Sequence, residues 1–399
     1  METENPDVKS GRLAKADYAR NFCDLNLPLD SKTASIESSR CYFCYDAPCI
    51  EACPTEINIP QFIKRIHSGD IRGAAVTILN SNILGGTCSR VCPVEVLCEE
   101  ACVRNSAEEK PVTIGALQRF ATDRLFESGE QPFARATSTG KKIAVVGAGP
   151  AGLSCAHRLA TLGHEVEIFE SRPKSGGLNE YGIAAYKMTN DFAQKEVEFI
   201  LSLGGIKVHQ GQTLGSNLKL SDLRKKFDAV FLAVGLTGVN ALGTEGETLP
   251  QVRNAVEFIA ELRQANDLSN LAIGRKVVVI GGGNTAIDAA IQSKRLGAEE
   301  VTLVYRRGPE QMSATRHEQE LAQTNGVVIR HWAKPVKIEG GPKGVTSIVF
   351  ERTKLDGKGK LLGTGESFKL QVDQVFKAVG QIFVPSALGK DAESLEIQN

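Results

Sequence analysis

The spacing of apolar residues changes along the chain, and each change marks an element. In IPQFIKRIHSGDIRGAAVTIL, apolar residues recur every three to four positions, which predicts helix. Pro60 suits a first helical turn. Further on, KKIAVVGAGPAG is a β-branched run that breaks into glycines. The helical LSCAHRLATLGH and the strand-like EVEIFE follow it, completing a strand–turn–helix–strand unit. The same order returns in RKVVVIGGGNTAIDAAIQSKRLGAEEVTLVYRR, so two dinucleotide-binding domains are expected rather than a short-period solenoid. FDAVFLAVG and VDQVFKAVG read as further strands, each closing on Gly. ESGEQPFARATSTG is polar and irregular and reads as a linker. The expected fold class is α/β, with a helical N-terminal domain over 1–137 followed by two Rossmann-like domains.

Composition narrows the function classes. The chain has 399 residues, 42% hydrophobic and 24% charged, which suits two or three globular domains. Its 47 basic residues balance 47 acidic ones, so no net field favours nucleic acid or anionic lipid. The start, METENPDVKSGRLAKADYAR, has neither the apolar core of a signal peptide nor the acid-poor look of a transit peptide. No apolar run reaches the roughly 20 residues a membrane span needs, and a cytoplasmic protein is expected.

Eight of the ten cysteines fall between Cys41 and Cys102, leaving out Cys23 and Cys155. In a reducing compartment such crowding points to metal rather than disulfides. The runs are Cys41-x2-Cys44-x4-Cys49-x3-Cys53-Pro54 and Cys88-x3-Cys92-Pro93-x4-Cys98-x3-Cys102. Four thiolates can hold a [4Fe–4S] cube, and a proline after Cys53 and Cys92 turns the chain sharply away. Zinc also accepts four cysteines but usually pairs two short hooks, and only one C-x2-C hook occurs here. Spacing alone draws two blocks of four.

The first glycine turn is Gly147-x-Gly149-x-x-Gly152. Its glycines allow a tight turn and bring a pyrophosphate to the helix N-terminus. Glu170, at the end of the second strand, suits a free ribose hydroxyl, hence FAD or NAD. The second turn is Gly281-Gly282-Gly283-Asn284-Thr285-Ala286, with Ala at its third position. Its second strand ends at Arg306 and Arg307, a pair able to clamp the 2′-phosphate of NADPH. The plainer reading of these arginines is a solvated strand end.

CYFCYDAPCIEACPTEINIPQFI, GGTCSRVCPVEVLCEEAC and PVTIGALQRFATD together resemble the N-terminal part of dihydropyrimidine dehydrogenase. VVGAGPAGLSCAHRLATLGHEVEIFESRPKSGGL and VVVIGGGNTAIDAA…VTLVYRR resemble its flavin and nicotinamide domains, which are shared with the small subunit of glutamate synthase. DAPC and LQRFATD favour the pyrimidine enzyme. The resemblance implies a nicotinamide domain (241–382) inserted in an FAD domain (138–240, continued at 383–399). It also implies two interleaved clusters, one on Cys41, Cys44, Cys49 and Cys102, the other on Cys53, Cys92, Cys98 and Gln118, with Cys88 spare. FAD contacts are implied at Ala148, Gly149, Pro150, Ala151, Gly152, Glu170, Gly176, Gly177, Leu178, Lys187 and Leu214. Lys187 stands where the family has Arg. Nicotinamide contacts are implied at Gly281, Gly283, Asn284, Thr285, Ala286, Arg306, Arg307, Ala378, Val379 and Gly380.

The implied activity is an electron relay from NADPH (or NADH) through FAD and two [4Fe–4S] clusters to a partner chain. That partner would carry FMN, further iron–sulfur clusters and the pyrimidine-reducing site. No side chain here is expected to act as acid or base, and the six histidines read as surface or satisfied residues. The family's C-terminal strand ending in Gly-Asp has no counterpart before LEIQN, so the FAD domain is expected to be incomplete. A glutamate synthase small subunit, or a docking subunit without functional FAD, are the alternative readings.

Overall fold

The computed structural model describes residues 7–385 and 388. It is mixed α/β: a helical N-terminal region precedes parallel-sheet, Rossmann-like dinucleotide-binding domains. The chain divides into two compact units. One holds residues 24–180, 190–235 and the chain from 383; the other holds the chain up to 23, 181–189 and 236–382.

In the unit that carries the clustered cysteines, the first helical pattern is split in two. α1 (Ile59–His67) begins where the Asn58 side chain accepts a bond from the Gln61 amide at 3.1 Å, and it buries Ile59, Phe62, Ile63 and Ile66 on one face. Gly69 takes φ 85°, a left-handed value natural to glycine, and the chain turns there. Asp70 then caps α2 (Ile71–Ser81), accepting from the Gly73 amide at 2.8 Å. α3 (Gly85–Val91) and α2 both pack on α4 (Ile114–Ser128).

After these helices come β1 (Lys142–Val146), α5 (Pro150–Thr161), β2 (Glu165–Phe169), α6 (Phe192–Leu201), β3 (Ile206–His209) and β4 (Ala229–Leu232). Their sheet runs β3-β2-β1-β4 and is parallel throughout. Such sheets are buried on both faces, which accounts for the β-branched run of β1. One apolar core joins Phe62, Ile78 and Leu117 of the helices to Val145, Leu153, Ile168 and Ile200 around the sheet. Each of these side chains contributes about 1.5–3 kcal/mol by leaving water.

The segment expected to be a linker has no helix or strand over 129–140, yet it is fixed in place. Gln131 Nε2 donates to the Phe199 carbonyl at 2.9 Å, Arg135 pairs with Glu165 at 2.7 Å, and the Phe133 ring lies edge-on to His157. His157 is buried, and burial pushes its pKa down to about 4, so it is a neutral core residue. Its Nε2 has no hydrogen-bond partner among the described residues, so it is neither a surface nor a satisfied histidine.

The other unit contains β5 (Val252–Asn254), β6 (Lys276–Ile280), α7 (Asn284–Arg295), β7 (Glu300–Val304), α8 (Arg316–Thr324) and β8 (Val327–Arg330). An antiparallel meander follows, β9 (Ala333–Gly341), β10 (Gly344–Leu355) and β11 (Leu361–Gln371), and then β12 (Gln374–Lys377). The parallel sheet runs β8-β7-β6-β12-β5. Residues 7–23 group with this unit. Val8–Lys9 pairs antiparallel with Ile273–Gly274, Arg12 Nε donates to the Ile273 carbonyl at 2.7 Å, and Asn21 and Arg295 exchange two hydrogen bonds.

Phe383 and Leu388 pack with Ala144, Val146 and Leu223 of the first unit. The rest of the 383–399 continuation, including the place where a Gly-Asp strand end was sought, lies outside the described residues. Among the described residues no helix is long and apolar enough to cross a membrane.

Candidate cofactor-binding sites

Four cysteines from two distant stretches line one pocket: Cys41, Cys44 and Cys49 from the first run and Cys102 from the second. Ile59, Ile63, Val112 and Ile114 form its apolar wall. Burial, and then the neighbouring Cys41 and Cys102 sulfurs, push the Cys49 thiol up to about 12. Cys41 is raised for the same reasons. Thiols crowded this way become thiolates only with a cation to hold them, which is the chemistry of a metal-binding set.

Cys53, Cys92 and Cys98 form a second group further inside. Cys53 and Cys98 are buried in the core shared with the sheet. Burial, Glu99 and the Cys53 sulfur raise Cys98 to about 12. Cys88 lies beside this group, and hydrogen bonding from Cys92 is the main cause that brings it down to about 7, with Gln118 and Asn82 adding to the effect. Gln118, buried on α4, donates from Nε2 to the Gly85 carbonyl at 2.8 Å, which fixes the amide beside Cys88. The donor sets therefore suit iron–sulfur cubes. Among the described residues no three His, Cys, Asp or Glu side chains are placed to hold a single metal ion, and a cube is larger than one ion.

The helix that carries Cys88 is held by a residue without any motif. Glu196 on α6 is almost wholly buried and accepts bonds from the Gly86 and Thr87 amides, both at 3.0 Å, and from the Thr87 hydroxyl. It thus caps α3. The Arg90 guanidinium lies over the Phe192 ring at 3.4 Å and pairs with Asp123 at 2.7 Å. The sequence held one signal: Glu196 occupies the apolar stripe of α6 with Phe192, Ala193, Val197 and Ile200.

Burial pushes the Glu196 carboxyl up to about 7 from its ordinary 4.5, against the pull of its Thr87 and Gly86 bonds and the Arg90 charge. An acid raised on folding gives stability that is full below its unfolded pKa and is lost as pH rises through the folded one. Glu196→Gln keeps the amide acceptor but cannot titrate. Thermal midpoints between about pH 5 and 8 should decline less in this variant, by at most roughly 3 kcal/mol of stability. Parallel pH profiles for the two proteins would overturn this assignment.

In the first glycine turn, Gly147 takes φ 105°, and a Cβ there would meet the Ala233 carbonyl at 2.3 Å. A Cβ on Gly152 would meet the Gly147 carbonyl at 1.9 Å. Both positions therefore require glycine. Gly149 stands at the N-terminus of α5, and no side chain caps its first turn, leaving those amides for a pyrophosphate. The Gly176 amide donates to the Ala148 carbonyl at 2.8 Å, and Gly177 lies against Gly149 and Pro150, so these residues close one cradle. Leu178 begins the helical turn after them and is exposed. Glu170 accepts from the Ala148 and Arg172 amides at 2.7 and 2.8 Å and from the Ser171 hydroxyl. Its carbonyl accepts from Gln212, which sets the loop leading to the buried Leu214.

The second turn repeats this arrangement. A Cβ on Gly281 would meet the Ala378 carbonyl at 2.3 Å, so the Ala378-Val379-Gly380 turn after β12 lies against it. Gly283 precedes Asn284, Thr285 and Ala286 at the start of α7, again with no side-chain cap. Tyr305 crosses Gly282, and the Ala314 amide donates to the Gly282 carbonyl at 3.0 Å, two contacts the turn motif does not encode. β7 ends at Val304, so Arg306 and Arg307 lie in the loop beyond the strand instead of ending it. Arg306 is exposed and Arg307 half-buried, and among the described residues neither has an ion-pair partner.

Lys187, the implied FAD contact, is engaged by two carboxylates. It belongs to the unit with α7 and α8, and its ammonium pairs with Asp288 at 2.8 Å and Glu318 at 2.6 Å. The buried Asp288 and the half-buried Glu318 together hold this charge. The Tyr186 hydroxyl also donates to Asp288, at 3.1 Å, and Arg295 stacks on the Tyr186 ring.

The two halves of the chain each match a known family. Residues 18–130 match the family model described as dihydropyrimidine dehydrogenase domain II, 4Fe-4S cluster. Residues 141–399 match that of pyridine nucleotide-disulphide oxidoreductases. The NAD-dependent dihydropyrimidine dehydrogenase subunit PreT of Salmonella typhimurium is 34% identical, over 86% of this chain and 79% of that protein. The glutamate synthase [NADPH] small chain of Escherichia coli is also 34% identical, over 95% and 83%. Among solved structures, a variant of FprA from Mycobacterium tuberculosis is similar at TM-score 0.50 and 25% identity, covering 60% of this chain and 71% of that one.

Proposed function

The chain belongs to the pyridine nucleotide-disulphide oxidoreductase family, as an NAD(P)H-dependent flavin oxidoreductase joined to a 4Fe-4S domain, and on that premise we propose that it is the electron-input subunit of a dihydropyrimidine dehydrogenase. The observation that carries this reading is the meeting of Cys102 with Cys41, Cys44 and Cys49 around one pocket. That meeting supports the interleaved ligand set, which the resemblance implied and spacing alone did not.

Each group of residues then has a task. The uncapped amides of α5, with Glu170 and the Gly176-Gly177 turn, hold the dinucleotide of FAD. Those of α7, with Ala378 to Gly380, hold the nicotinamide cofactor. Cys41, Cys44, Cys49 and Cys102 hold one cluster; Cys53, Cys92, Cys98 and Gln118 hold the other. When bound, the flavin supplies two-electron chemistry and the clusters one-electron chemistry, while the protein fixes distance and orientation. The acceptor is a partner chain with FMN that reduces uracil or thymine to the 5,6-dihydropyrimidine.

A visible spectrum of the anaerobically purified chain tests the input half. Flavin bands that bleach on adding NADPH, above a broad iron–sulfur shoulder, are expected; a shoulder with no flavin would reject it. The equal identity to a glutamate synthase small chain supports a second reading, with a different partner and the same electron path. Uracil-dependent NADPH oxidation by the complex purified from cells would decide for the first reading, and glutamine-dependent oxidation for the second.

Arg306 and Arg307 support NADPH as the donor. Arg306→Ala should weaken NADPH binding by about 1.5–3 kcal/mol, the worth of a charged hydrogen bond, and leave NADH nearly unchanged. Titration of both cofactors checks this, and equal losses would remove the assignment.

A further inference from the structure

The loops that bear the cysteines are unlike the rest of this charge-balanced chain. Residues 41–58 and 93–109 together carry eight acidic side chains and one basic. Asp46, Glu51, Glu56, Glu100 and Glu109 are exposed, and none has an ion-pair partner among the described residues. Large side chains stand out beside them. Tyr45, between Cys44 and Asp46, is 105% exposed, and Tyr42, which lines the pocket, is 56% exposed. Tyr42 is held by Arg104 above its ring at 4.0 Å, so it is fixed in its exposed position. The two cysteine groups also differ in depth: in one, Cys53 and Cys98 are buried in the core shared with the sheet and Cys92 is half-buried, whereas Cys41, Cys44, Cys49 and Cys102 are all half-buried.

Exposed tyrosines cost little entropy to dock and are enriched at the energetic centres of protein interfaces. Surplus charge of one sign around them steers an oppositely charged partner and raises its association rate. On the proposed electron-input reading, the half-buried group is the one nearest solvent and so the one an outside acceptor can approach. We propose that the Tyr42–Tyr45 face around this group is the electron-exit dock, and that it takes a redox protein whose acceptor lies beneath a basic surface. Charge steers the contact, which therefore weakens with salt. Each NAD(P)H gives up a hydride, which leaves as two electrons through this face to two one-electron acceptors, releasing NAD(P)+ and one proton.

Cytochrome c, a small cationic haem protein, is the probe, with menadione, a neutral quinone, as the control acceptor. The full-length holoprotein is compared with the triple variant Asp46→Lys, Glu51→Lys, Glu100→Lys and with Tyr45→Ala. All four side chains are exposed, so folding should be intact. Reduction of cytochrome c by NADPH is expected to fall ~10-fold or more in the triple variant and to lose its dependence on ionic strength. Tyr45→Ala should also slow it, while menadione reduction stays constant. Unchanged cytochrome c reduction in the triple variant would overturn the dock and leave the electron-input reading standing. Failure of the unmodified protein to reduce menadione would overturn the electron-input reading, and the dock with it.

Discussion

Lys187→Met is expected to destabilise the protein by about 3–5 kcal/mol, the cost of leaving a buried charge without its partner. Lys187 is 8% exposed and Asp288 7%, so water cannot take over the lost role. Burial raises the Asp288 pKa, with Lys187 opposing it. Burial alone would lower that of Lys187, but Asp288 and Glu318 outweigh it and raise it. Without the ammonium, the buried Asp288 would resist ionisation, so the defect should shrink as pH falls and it takes up a proton. Glu318 Oε2 already has no hydrogen-bond partner, so nothing nearby can compensate. Adding Asp288→Asn to Lys187→Met should restore much of the loss. Thermal denaturation of the single and double variants measures both effects, and a single variant within about 1 kcal/mol of the parent would refute the account.

On the proposed two-cluster reading, Cys98→Ser should remove one whole cluster, taking iron content from about eight atoms per chain to about four. Cys98 is buried beside Cys53 and within the charge field of Cys88, and no exposed thiol can replace it there. Because ligand binding and folding are coupled, the melting temperature should fall as well. Flavin bleaching by NADPH should persist, separating this loss from general unfolding. Cys88→Ser should keep all the iron, while Gln118→Ala should lower it. The reverse pattern would make Cys88 the fourth ligand and leave Gln118 as its hydrogen-bond donor.

What the sequence revealed depended on how locally each requirement is written. Gly147, Gly152 and Gly281 were readable because a Cβ at any of them would come within about 2 Å of a backbone carbonyl oxygen. The two parallel sheets followed from β-branched runs next to those turns. The gathering of the cysteines was not readable from spacing, because Cys102 reaches Cys41 only through the folding of the helices between them. Glu196, Asp288 and Glu318 were silent for a related reason. Each is a carboxylate whose partner lies far along the chain, and no short pattern records such a pairing. Lys187 is similar: its ion pairs with acids on α7 and α8 cross more than a hundred residues, and nothing in the stretch around it announces them.

The cysteine helices and the first parallel sheet share one apolar core, with α6 capping α3 through Glu196 and Arg90 stacking on Phe192. The iron–sulfur part is therefore no detachable cartridge. A fragment cut near residue 130 would expose the apolar sides of α2 and α4 and should aggregate instead of behaving as a small ferredoxin. Transplanting this wiring onto another reductase would require moving the sheet and α6 along with the cysteines.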